Sequence, residues 1–165
     1  MEASPSRFQL FDLSALLRDT CRSCESWFDG VHRRLILSCP EQAAVLFGDR
    51  LRIREAVVNL IKNGLEALDA EGTVSVRLRQ ENGRLVIEVK DTGRGLDRHE
   101  LENVLRPFYT TKEEGTGLGL PIADAAARAH GGSLSLSSEA GKGTAALLSL
   151  PLLPGSDEQK PHEEA

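Results

Sequence analysis

Apolar positions along the chain recur with two different periods. Over residues 49–69 the period is helical: Ile53, Val57, Leu60, Ile61, Gly64, Leu65 and Leu68 form one stripe. Glu55, Asn59, Asn63 and Glu66 lie opposite, and Gly72 is expected to end the helix. A helix is also expected over 12–29, with Asp12 or Ser14 as N-cap and Leu13, Leu16, Leu17 and Cys21 apolar. A third runs over 117–130; Pro121 sits in its first turn, where the missing N–H costs little, and Gly131-Gly132 stops it. The period falls to two at 73–79 and 85–90, around an Asn82-Gly83 turn whose residues tolerate positive φ, so these segments read as a hairpin. Shorter strands are expected at 34–38 and 43–47, separated by Pro40, and at 134–138 and 144–150, around Gly141 and Gly143.

Residues 91–119 break this regularity. They are rich in glycine, charge and turn formers, and a connection of that length in a compact domain tends to be functional. Residues 1–8 read as a lead-in, 9–153 as one domain, and the acidic, polar 154–165 as a disordered tail. There is no internal repeat.

Composition narrows the chemistry. A chain of 165 residues with 40% apolar and 27% charged side chains suits one soluble domain with its own core. The net charge of -5 gives no basic footprint for nucleic acid, so an anionic ligand would be held by local dipoles, a metal and a few cations. No apolar run approaches the roughly 20 residues of a membrane span, and no secretory signal pattern opens the chain. A cytoplasmic location without membrane contact is expected. Cys21 and Cys24 form a C-x-x-C within a helix, but a second ligand pair for zinc is missing, so they and Cys39 read as free thiols.

Three segments carry candidate chemistry. Asn59 and Asn63, four apart, present their amides on one helix face with Glu55 one turn earlier. Carboxamides beside a carboxylate suit a hard, partly hydrated cation such as Mg²⁺; for two Asn alone a solvated polar face is the favoured reading. Asp91-Thr92-Gly93-Arg94-Gly95 directly follows a strand. There Asp91 can accept a hydrogen bond from an exocyclic amine, and Gly93 and Gly95 let backbone approach a flat ring, although a turn alone explains the pattern about as well. Gly115, Thr116, Gly117, Leu118, Gly119 and Leu120 open a helix, where free N–H groups attract phosphate. No Gly-Lys-Ser/Thr follows, so this is not a P-loop.

In this order the segments resemble the ATP-binding domain shared by histidine kinases, gyrase-type ATPases, Hsp90 chaperones and mismatch-repair ATPases. Glu55-x-x-x-Asn59-Leu60-x-x-Asn63 resembles the N box and Asp91-Thr92-Gly93-Arg94-Gly95 the G1 box. Pro107-Phe108-Tyr109-Thr110-Thr111-Lys112 resembles the F box, and Gly115 to Leu120 the G2 box. His130-Gly131-Gly132 and Gly141-Lys142-Gly143-Thr144 follow as in histidine kinases, especially the nitrogen-regulator-like branch. The resemblance implies an α+β fold, a two-layer sandwich of the Bergerat type: a mixed, mostly antiparallel sheet of about five strands with three helices on one face. It also implies ATP and Mg²⁺ as cofactors. Asp91 would meet the adenine amine with Thr144 nearby through water, and Asn59 would be the main Mg²⁺ ligand with Asn63 near metal or phosphates. Lys112, with Arg106 as a further candidate, and the 115–120 loop would hold the phosphates, and residues 96–115 would form a mobile lid. Glu55 would polarise an attacking imidazole, unless it pairs with Arg52 or Arg54.

Two positions depart from the family pattern. Gly64 stands where Ala is usual, which weakens a helix by about 1 kcal/mol unless backbone packs closely there. Glu66 stands where many members place a phosphate-binding Lys.

His99-Glu100-Leu101 matches the letters around a phosphoacceptor histidine, but it lies between the G1 and F boxes with no helical hairpin around it. His32, His130 and His162 lack that context too, and His130 is expected at a helix C-terminus, where the dipole favours it. About 11 residues precede the first expected helix, too few for a dimerising hairpin. The expectation is a monomeric catalytic domain that phosphorylates a histidine on a separate domain, in a longer parent chain or in trans, and acts indirectly on a response regulator. The alternatives are an anti-sigma-factor-type serine kinase, which generally lacks the Phe108-type F box, and a non-catalytic ATP-gated binding module.

Overall fold

The computed structural model describes residues 7–106 and 119–152. The elements in chain order are β1 (Gln9–Asp12), α1 (Leu13–Cys24) with a 3₁₀ turn over Glu25–Trp27, β2 (Arg33–Ser38), β3 (Val45–Gly48), α2 (Arg50–Ala67), β4 (Gly72–Glu81), β5 (Arg84–Asp91), α3 (Arg98–Asn103), α4 (Gly119–Ala129), β6 (Ser133–Glu139) and β7 (Gly143–Pro151). Five strands form one sheet in the order β2-β4-β5-β7-β6, and β1 and β3 pair separately as a short antiparallel ribbon. Only the β2–β4 pairing in the large sheet is parallel, so the sheet is mixed and mostly antiparallel, as expected.

Period-two patterning decides which face is covered. Val74, Val76 and Leu78 of β4, Leu85, Ile87 and Val89 of β5, and Ala146, Leu148 and Leu150 of β7 turn to one side and are buried. Against them lie Leu13, Leu16 and Leu17 of α1, Ile53, Val57, Leu60 and Ile61 of α2, and Ala123, Ala126 and Ala127 of α4, in a single core cluster. Arg77 and Lys90 on the opposite face are exposed.

Local signals set the boundaries. Asp12 caps α1 by accepting from Ser14 N at 3.0 Å, and the same Oδ1 accepts from Ala44 N at 3.0 Å, which ties the loop before β3 to the helix start. Asp49 caps α2 through Arg52 N. α2 ends at Leu68, whose extended ψ of 143° breaks the helix before Gly72; that glycine opens β4 instead. Two elements were not expected: β1, and α3, which sits in the irregular 91–119 stretch behind an Asp97/Glu100 capping box.

Candidate functional site

The Gly-rich turn after β5 is held between α2 and the β6–β7 turn. Asp91, 5% exposed, ends β5, and its Oδ1 accepts from Gly93 N at 2.9 Å and Thr144 N at 3.3 Å. Arg94 N donates to Ala67 O at the end of α2, while Arg94 O accepts from Gly141 N. The glycines serve this clamp. A Cβ on Gly93 would fall on the Ala67 carbonyl, one on Gly95 on the Glu139 carbonyl oxygen, and one on Gly143 on the oxygen of Asp91 itself. The close approach expected at Gly93 and Gly95 is therefore to the chain's own backbone. Thr92 faces outward, and its Oγ1 accepts from Thr73 N at 3.0 Å.

Helix α2 forms one wall beside Asp91. A Cβ on Gly64 would lie 3.5 Å from Asp91 Cβ and 3.2 Å from a Val74 methyl, so the missing side chain is matched by close helix–sheet packing. Asn59, five residues earlier, donates from Nδ2 to Glu55 O at 2.9 Å. Its Oδ1 would sit 3.4 Å from a Cβ on Gly119, which places the start of α4 over this asparagine. Asn63 is half-buried and Glu55 exposed on the same helix. Arg54 turns away from Glu55 and donates to Ser23 Oγ at 3.1 Å.

The structure thus brings Asp91, Thr144, Gly93 and Gly95 together and sets Asn59 beside Gly119. Leu120 is buried at 6% exposure. Lys112, Gly115, Thr116, Gly117 and Leu118, with the whole F box, lie outside the described residues, and of the expected lid only the part through Arg106 lies within them. Sequence reading missed Ser138. Its hydroxyl accepts from Leu96 N at 2.7 Å and lies 2.7 Å from Thr144 Oγ1. The signal for it was a serine opposite the motif threonine across a hairpin.

Away from this cleft, His130 follows α4 as expected, but it is buried at 3% exposure. Nε2 accepts from Asp49 N at 2.9 Å, Nδ1 faces Ala126 O at 2.7 Å, and Phe8 stacks on the ring at 4.8 Å. Burial pushes its pKa below the usual histidine value, against the pull of the Ala126 carbonyl and of Asp49 and with the help of Arg52. The ring is therefore a neutral link between helices, not a cation favoured by a dipole. Cys21 and Cys24 are buried free thiols; burial raises both, Cys21 up to about 12, which makes them poor nucleophiles.

A family model described as "Histidine kinase-, DNA gyrase B-, and HSP90-like ATPase" matches residues 48–154. That match takes in α2, the Asp91 turn, α4 and the β6–β7 hairpin. The chain belongs to this ATPase family. Among curated proteins it is 43% identical over 105 residues to sporulation kinase C of Bacillus subtilis, covering 64% of this chain and 24% of that protein. It is 30% identical over 145 residues to sporulation kinase B of the same organism, covering 87% and 33%. To sensor histidine kinase ZraS of Escherichia coli it is 28% identical, covering 87% and 31%. The chain thus spans about a quarter to a third of the length of these relatives. The catalytic domain of histidine kinase ThkA superposes with a TM-score of 0.80 at 25% identity, covering 89% of this chain and 97% of that one. The ATPase family accounts for ATP as the nucleotide. No described helix is long and apolar enough to cross a membrane.

Proposed function

We propose that this chain is the ATP-binding catalytic domain of a two-component protein histidine kinase, which moves the γ-phosphoryl group of ATP to a histidine on a separate helical phosphoacceptor domain. The observation that carries the reading is the fixed carboxylate of Asp91, oriented by Gly93 N and Thr144 N at the foot of the α2 wall. Histidine-kinase relatives over most of the chain support it. In this reading Asp91 accepts from the adenine amine. Asn59 and Asn63 meet Mg²⁺ and the phosphates, and the fit is chemical: Nδ2 of Asn59 is spent on Glu55 O, so its hard Oδ1 is the atom facing Gly119. Bound Mg²⁺ would neutralise charge on the triphosphate. Lys112 and the N–H groups of residues 115–120 hold the phosphates.

Glu55 hydrogen-bonds the far nitrogen of the attacking imidazole and raises its nucleophilicity. The imidazole nitrogen bonds to Pγ as the bond from Pγ to the β–γ bridging oxygen breaks, and ADP leaves with that electron pair. The phosphohistidine then serves a response regulator. The test is incubation with γ-labelled ATP and helical acceptor domains taken from the sporulation-kinase and ZraS relatives. Acid-labile label on the acceptor is the expected result. Acid-stable label would make the chain a serine kinase, and tight ATP binding with no label on any acceptor would make it a binding module.

A further inference from the structure

Leu51, Glu55, Asn59 and Asn63 stand four apart on α2 and so form one ridge. Read backwards, the ridge follows the proposed reaction. Gly64, next to Asn63, packs on Asp91 at the base end, and Asn59 faces Gly119 at the phosphates. Glu55, exposed, comes next and would meet the attacking histidine. One turn further stands Leu51, 66% exposed. It is the second residue of the helix, behind the Asp49 cap. Free N–H groups and the helix dipole favour an acidic side chain there, yet the first turn of α2 has none. A leucine so exposed adds little to the fold, and a conflict of this kind between local preference and sequence points to function. Nor does it stand alone. β3 leads into α2 with Val45 and Phe47 turned outward, and Leu10 lies opposite Phe47 across the ribbon. Among the described residues, four of the seven exposed large apolar side chains thus lie on β1, β3 and the first turn of α2.

We infer that Leu51 is the apolar contact on which the helix carrying the phosphoacceptor histidine seats. The inference rests on the proposed role of Glu55 and gives the partner of that residue a footprint. Four residues of α-helix rise about 6 Å, and a helix with its side chains is about 10–12 Å across. An acceptor helix lying along the ridge passes over Leu51. One that crosses the ridge at Glu55 reaches about 5–6 Å to either side, as far as Leu51. The partner that fits is a helix with an aliphatic or aromatic side chain on the same face as its histidine. An apolar seat also leaves Glu55 free for the imidazole, whereas a lysine or arginine at this position would pair with Glu55 across one helical turn.

The test is steady-state transfer from γ-labelled ATP by the full chain, with the concentration of the acceptor varied. The acceptors are the helical domains of the sporulation-kinase and ZraS relatives, and the enzymes are the wild type, Leu51→Ser, Leu51→Met and Glu55→Gln. Leu51→Ser is expected to raise KM for the acceptor about 5- to 30-fold, the loss of burying a mostly exposed leucine. Its kcat, ATP affinity and melting temperature stay those of the wild type, and Leu51→Met, which keeps the apolar surface, restores KM. Glu55→Gln lowers kcat instead, so the two residues separate as seat and chemistry. A wild-type KM in Leu51→Ser, or a fall in kcat alone, would overturn the inference. So would a lower melting temperature in Leu51→Ser or the loss of a dimer in gel filtration, because the leucine would then be covered by the chain itself or by a second copy. A wild type that labels no acceptor, or a Glu55→Gln variant that transfers at full rate, would instead overturn the reading of the site and this inference with it.

Discussion

Gly95 has a φ of 68°, and the Glu139 carbonyl oxygen occupies the place of its absent Cβ. An alanine there meets the left-handed penalty of about 1–2 kcal/mol and then the collision. Gly95→Ala is expected to lower the stability measured by urea unfolding by at least that amount, through loss of the clamp on the Asp91 turn. An unchanged midpoint would show that the turn relaxes freely. Asp91 tests the chemistry next to it. In Asp91→Asn the amide oxygen can still accept from Gly93 and Thr144, so the fold is kept, while the amide nitrogen presents a donor to the donor amine of adenine. Losing a charge-assisted hydrogen bond of about 1.5–3 kcal/mol corresponds to roughly ten- to hundredfold weaker ATP binding by calorimetry. The position of Asp91 at a strand end was legible in sequence, but its use was not, because a turn accounts for Asp-x-Gly-x-Gly about as well as a ligand does. Whose backbone the glycines admit was not legible. A ligand and a neighbouring turn make the same steric demand, and only the fold shows Ala67 and Glu139 there.

At the scale of elements, α2 and α4 are joined at their distal ends by His130. The ring accepts from the Asp49 amide at the start of α2, and a Cβ on Gly48 would come within 2.8 Å of it. Protonating Nε2 would turn that acceptor into a donor facing another donor. The folded-state pKa lies below the usual 6.5, so the unfolded chain takes up the proton first. The stability contributed by the neutral ring is complete above pH 6.5 and drains as pH falls below it. Urea unfolding between pH 7.5 and 5.5 is expected to show this loss, and His130→Gln is expected to flatten it. An equal slope in both proteins would mean that another group is responsible. The long helices and the β4–β5 hairpin were legible because their periods persist for many residues. α3 was hidden among turn formers, although Asp97 and Glu100 carried a capping signal. β1 has four residues, with Leu10 70% exposed, and it exists only because β3 is there to pair with it.

For the whole molecule, the layered, mostly antiparallel architecture was implied by the family resemblance, whereas the strand order β2-β4-β5-β7-β6 was not legible in the sequence and is shown by the fold alone. The proposed function has a kinetic signature at this scale. Without an acceptor the chain is expected to bind ATP and hydrolyse it slowly, and Glu55→Gln is expected to reduce transfer to an added acceptor far more than nucleotide affinity. Fast hydrolysis by the chain alone, abolished in Glu55→Gln, would show that Glu55 activates water. The sheet topology bears on the order of assembly. β4 and β5 are separated by Asn82 and Gly83 alone, and such a hairpin closes in about microseconds. β2 meets β4 only after all of β3 and α2 has been placed between Arg33 and its partner Gly72. This edge strand has one neighbour in the sheet, so it zips up after the β4–β5 hairpin and peels away before it. Backbone amides of 33–38 are therefore expected to trade hydrogen for deuterium well before those of 84–91 in the native state. Equal protection of the two strands would mean that the sheet opens only as a single unit.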